Sequence, residues 1–64
     1  MPYTILGLDD GPGGNVELHD ESTEKGAEQW IALYTNRGNW GGYYGLAVIR
    51  PDGSWGYVTP PRDD

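Results

Sequence analysis

The stretch that decides the fold is Asp20-Glu21-Ser22-Thr23-Glu24-Lys25-Gly26-Ala27-Glu28-Gln29-Trp30-Ile31-Ala32-Leu33-Tyr34-Thr35-Asn36-Arg37. Ala27, Trp30, Ile31 and Tyr34 fall on one stripe at helical spacing, with Thr23 extending it and Leu33 at its edge, while Glu21, Glu24, Lys25 and Glu28 fall largely on the other side. The period predicts a helix from Asp20 to about Arg37 whose apolar stripe packs on a sheet. Asp20 or Ser22 is the expected N-cap, and Glu21 and Glu24 suit the positive end of the helix dipole. Gly26 is costly in a helix interior and marks a candidate close approach to the sheet. Gly38 is a candidate left-handed stop.

On both sides of this helix the period drops to that of strands. Upstream, Tyr3-Thr4-Ile5-Leu6-Gly7-Leu8 is extended in character. It runs into Asp9-Asp10-Gly11-Pro12-Gly13-Gly14-Asn15, a cluster of turn formers, before Val16-Glu17-Leu18-His19 alternates apolar and polar side chains. Downstream, Tyr44 to Arg50 and Ser54 to Val58 flank Pro51-Asp52-Gly53, where proline presets the first turn position and glycine tolerates positive φ. The expected architecture is α+β, a small antiparallel or mixed sheet against one helix, in the order ββαββ; the alternative, βαββ, keeps one of the first two segments as an irregular lead-in. The chain is read as one domain over residues 1–64. Pro60 and Pro61 close the last strand and leave residues 60–64 as a short flexible tail.

The strand Leu46-Ala47-Val48-Ile49 is apolar on both sides, and one helix covers only one of them. The uncovered face should therefore mix Leu46 or Ile49 with Trp55 or Tyr57, which makes it a candidate contact surface or dimer interface. Trp30 and Tyr34 are expected in the core of a chain that has no phenylalanine. Trp40 and Tyr43, set among glycines, are the expected exposed pair.

Residues 31–42, Ile31-Ala32-Leu33-Tyr34-Thr35-Asn36-Arg37-Gly38-Asn39-Trp40-Gly41-Gly42, resemble the opening of a crystallin-type Greek-key motif, in which a tyrosine strand runs into a bulky residue and a glycine. Such a motif implies a closed all-β unit. The family's later serine is missing, and the same residues carry the helical stripe, so the α+β reading stands.

Charge is distributed unevenly. Residues 1–28 hold seven carboxylates against Lys25, whereas the remainder is neutral and carries all three tryptophans. With a formal charge of −6 and scattered Lys25, Arg37, Arg50 and Arg62, the chain has no basic groove for phosphates, which argues against direct binding of nucleic acid or an anionic membrane. A basic partner protein, or a second copy of the chain, is the expected partner. The longest apolar run is far short of the roughly 20 residues of a membrane helix, and no signal-like segment opens the chain. Lack of cysteine fits a reducing cytoplasm and removes both disulfides and Cys-containing zinc sites.

No catalytic, cofactor-binding or metal-binding residue is assigned. His19 is solitary, with no nucleophile placed beside it, and the chain is read as a non-enzyme. Asp9 to Glu17 offers oxygen ligands but lacks the alternating positions and terminal glutamate of a helix-loop-helix calcium site.

Three functional classes follow. The first is a small acidic interaction module, of a size and charge common among phage or mobile-element products, acting as an inhibitor or nucleic-acid mimic on a basic host protein through Glu17, Asp20, Glu21, Glu24 and Glu28. The second is an aromatic-faced module for glycan or peptide using Trp40, Tyr43, Trp55 and Tyr57. The third is a homodimeric structural domain joined through Leu46, Val48, Trp55 and Tyr57.

Overall fold

The computed structural model describes residues 2–59, with Arg37 by its backbone alone. The expected tail, residues 60–64, lies outside the described residues. The elements are β1 (Tyr3–Leu8), β2 (Val16–Glu21), α1 (Glu24–Tyr34), a 3-10 turn (Asn36–Gly38), β3 (Gly45–Ile49) and β4 (Trp55–Val58). The fold is α+β in the order ββαββ, with one antiparallel four-stranded sheet ordered β2-β1-β3-β4.

The two central strands are the two most apolar ones. β1 pairs with β3 in a register that sets Ile5 opposite Val48 and Leu6 opposite Ala47. Because side chains alternate across a strand, Ile5, Leu46 and Val48 face the helix, and Leu6, Leu8, Ala47 and Ile49 face away from it. Beneath the helix, Ile5 and Leu46 are fully buried with Ala27, Ile31 and Val48. Full burial of one such aliphatic side chain contributes about 1.5–3 kcal/mol.

The helix begins later than its stripe implies. Asp20 and Glu21 remain in β2, paired with Thr4 and Tyr3, so neither Asp20 nor Ser22 is the N-cap. Thr23 takes that role with extended backbone, and its Oγ1 accepts a 3.0 Å hydrogen bond from the Gly26 amide. Gly26 thus sits in the first turn rather than the interior. A Cβ there would strike the Glu21 carboxylate and crowd Thr23, so the close approach is to the side chain of the last residue of β2 and to the cap. At the other end the Thr35 amide and hydroxyl both donate to the Ile31 carbonyl. The α-helix ends at Tyr34 with Thr35 as its C-cap, and Gly38, at φ +75, ends the 3-10 turn that follows. With Ile31–Tyr34 helical, the crystallin-type resemblance has no structural counterpart.

The first hairpin has an irregularity that the sequence does not announce. The β1–β2 register shifts between Ile5 and Leu6, so that Ile5 faces His19, Leu6 faces Glu17, and Leu18 is the extra residue of a β-bulge. Its acidic loop is internally organised: Asp9 Oδ1 accepts from the Gly11 amide at 3.0 Å, and the Asp9 amide donates to Asn15. In the second hairpin the Gly53 amide donates to the Arg50 carbonyl and the Arg50 amide to the Ser54 carbonyl, with Gly53 at φ +88. This is a type I turn followed by a left-handed glycine, the usual three-residue connection.

Candidate interaction surface

The sheet offers two unlike surfaces, and its pairing decides which aromatics belong to which. Ala47 lies opposite Tyr57 and Ile49 opposite Trp55, so both β4 rings stand on the face away from the helix. Leu46 and Val48 are on the helix side, and the expected combination of Leu46 and Val48 with Trp55 and Tyr57 is not formed. Trp55 and Tyr57 are 41% and 66% exposed, with ring centroids 6.1 Å apart. Beside them Leu6, Leu8 and Ala47 form a small buried cluster, with Ile49 packed against it. On the far edge of this open face β2 contributes Glu17 and Asp20, opposite Leu6 and Thr4.

Trp40 and Tyr43 are not the exposed pair that their glycine neighbours imply. Both are half-buried against the helix-side core. The Tyr43 ring lies on Gly7 of β1, where an added Cβ would come within 2.7 Å of it. A glycine in the neighbouring strand makes the seat.

The remaining expected acidic residues separate. Glu21 accepts a 2.5 Å hydrogen bond from His19 on the helix side of β2. His19 stacks on Trp30 at 4.8 Å, and Trp30 stacks on Tyr34 at 4.9 Å, a run of three rings along the flank of the helix. His19 and Glu21 thereby have a structural employment. Glu24 and Glu28 lie instead along a groove of about 480 Å³ between α1 and β4. Ala27, Ile31, Val48 and Val58 provide its apolar lining, and Trp40 contributes as well.

A polar chain that sequence reading missed braces this groove. Arg50 Nε donates to Glu24 Oε1 at 3.1 Å, and its guanidinium passes over Gly56 so closely that a Cβ there would lie 2.7 Å away. Arg50 also reaches Ser54 Oγ at 3.4 Å, and the Ser54 hydroxyl and amide both donate to Asp52 Oδ1. These two hydrogen bonds from Ser54 hold the Asp52 carboxyl below its ordinary range, with a further contribution from the Arg50 charge. The turn of the second hairpin is thus tied to the first turn of the helix.

Among the described residues no group of three His, Cys, Asp or Glu side chains is arranged to hold a metal ion, and no helix is long and apolar enough to cross a membrane. No protein-family model matches the chain, and no curated protein or solved structure matches it. That the two β4 rings stand with Ala47 and Ile49, rather than with Leu46 and Val48, is legible in the turn. A three-residue loop centred on Asp52 pairs residues equidistant from it, which puts 47 with 57 and 49 with 55.

Proposed function

We propose that this protein is a small acidic interaction module that acts by binding a basic protein rather than by catalysis. The observation that carries the reading is the open sheet face, where the exposed rings of Trp55 and Tyr57 adjoin an apolar centre and the outer strand bears Glu17 and Asp20. Large aromatic rings supply rigid contact area, and a charged border supplies steering and register. The net charge of −6 favours a partner of opposite sign.

The nucleic-acid-mimic version asks for one continuous acidic field. Glu17 and Asp20 lie on one face of the sheet, while Glu24 and Glu28 line a groove on the other, and Glu21 is engaged by His19. We therefore keep the broader version, an inhibitor or adaptor of a basic protein.

The test is affinity capture at low and moderate salt with the wild type, a Glu17→Gln, Asp20→Asn pair, and a Trp55→Ser, Tyr57→Ser pair, each checked for folding by circular dichroism. A retained basic protein should leave as salt rises, and both double variants should lose it. Capture that is indifferent to salt and to both pairs of substitutions would refute the reading.

A further inference from the structure

The face of the sheet away from the helix is buried more deeply than its own residues account for. Ala47 is 0% exposed, Leu8 5% and Leu6 9%, the same range as the core beneath α1. Neighbours on one sheet face shield each other sideways, whereas burial to this depth calls for a second layer above them. The helix packs on the opposite face, and among the described residues Ile49 is the one partly buried apolar side chain set against this cluster. Trp55 and Tyr57 remain exposed, so the missing cover belongs over β1 and β3 rather than over β4.

The chain that leaves β4 is placed to supply it. Thr59 follows Val58 and turns its side chain to this face: its Cγ2 and Leu8 Cδ1 both stand 3.5 Å from where a Cβ on Gly45 would lie. Next in sequence come Pro60-Pro61-Arg62. Two consecutive prolines present apolar rings, and their fixed φ lowers the entropic cost of holding an extended path.

Charge points the same way. Glu17 and Asp20 stand on this face, while Lys25 is on the helix and Arg50 is held by Glu24 on the opposite side. Glu17 is level with Tyr57 through Leu6 and Ala47, two residues back from Thr59 and three strand spacings away, a span of about 16 Å. An extended segment rising about 3.1 Å per residue carries Arg62 about 9 Å of that way, and the long arginine side chain spans the remainder.

We infer that residues 60–62 form a strap across this face, with the Pro60 and Pro61 rings over Leu8, Leu6 and Ala47 and the Arg62 guanidinium at the Glu17 carboxylate. Resting on the function proposed above, the strap regulates that site: Arg62 holds in cis a carboxylate that a basic partner needs, so the partner must displace it.

The experiment uses the full chain, labelled for methyl-resolved NMR. Nuclear Overhauser contacts are expected between ring protons of Pro60 or Pro61 and the methyl groups of Leu6 or Leu8. Combined Pro60→Ser and Pro61→Ser should remove them and shift those methyl resonances, while the Ile5 and Ile31 methyls beneath the helix stay in place. Absence of the proline contacts, contacts from Pro12 of the first hairpin in their place, or contacts that arise only with a concentration-dependent dimer would each overturn the strap.

The charge pairing is read by titrating hexalysine at low salt. Arg62→Gln and Lys25→Gln change the net charge equally, and only the first frees Glu17. Arg62→Gln should therefore bind hexalysine about two- to fivefold more tightly than Lys25→Gln, the range of an exposed ion pair. Equal affinities would overturn the contact between Arg62 and Glu17. Hexalysine that binds neither variant would overturn the regulation together with the acidic reading, while the proline contacts still decide the strap.

Discussion

The β2–β1 half of the sheet and the β3–β4 half are built from similar strands but finished in different ways. An α-helix is about 10 Å wide and strands lie about 4.8 Å apart, so a single helix roofs roughly two strands of four. Here α1 contacts β1 and β2, and the His19–Trp30–Tyr34 stack closes its flank, leaving the groove over the other half. The lesson is that β1 and β3 alternate their side chains into two buried clusters, whereas the accessible surface gathers at β4, whose rings stand exposed. Coverage, and not hydrophobicity, makes the difference.

The sharpest way to break this contrast is at Leu46, fully buried under the helix. Leu46→Ala is expected to cost about 2–5 kcal/mol, read as a drop in the urea midpoint, because a cavity opens where nothing can collapse into it. Two alanines of similar burial sharpen it further. Ala27 is sealed between helix and sheet, while Ala47, equally buried, packs with Leu6 and Leu8 on the opposite face. Ala27→Leu and Ala47→Leu should each cost about 1–3 kcal/mol by overpacking; a negligible loss at Ala47 would mean that this face yields freely to a larger side chain.

A smaller effect belongs to the cap. Thr23→Ala removes the acceptor for the Gly26 amide and should cost about 1 kcal/mol in the same denaturation assay, with Thr23→Ser restoring most of it. The smallest concerns Asp52 in the exposed turn of the β3–β4 half. Its carboxyl is held below the ordinary range, so the ionised form is favoured by folding, and the stabilisation is present above the unfolded carboxyl's pKa. It fades as pH falls through the lower folded pKa. Asp52→Asn should flatten that part of the acid limb slightly, whereas a steeper limb would contradict the hydrogen bonding to Ser54.

Local chemistry made much of this legible in the sequence. Pro51-Asp52-Gly53 specified its hairpin because turn residues act over three or four positions, and the helical stripe specified Ala27 and Ile31 as buried. The start of the helix was not legible. Asp20 and Glu21 suit a helix N-terminus and an exposed strand edge equally, and pairing with Thr4 and Tyr3 decides for the strand. The faces of β3 were ambiguous for a similar reason, since both are apolar and only the register with β1 and β4 assigns them. Of the candidate site, Trp55 and Tyr57 were placed on an accessible face as the sequence implied. Trp40 and Tyr43 are half-buried instead, and the seat for Tyr43 is Gly7, too far along the chain for local sequence to announce it.

The strand order has a consequence for biosynthesis. β1 is translated before the strands it pairs with, yet lies in the interior of the sheet, between β2 and β3. As the chain leaves the ribosome, the first hairpin and helix emerge while the β3-facing edge of Thr4 to Leu8 waits for residues 45–49. A nascent chain halted before that point displays a bare, apolar strand edge, the kind of surface that chaperones hold and that neighbouring nascent chains aggregate upon.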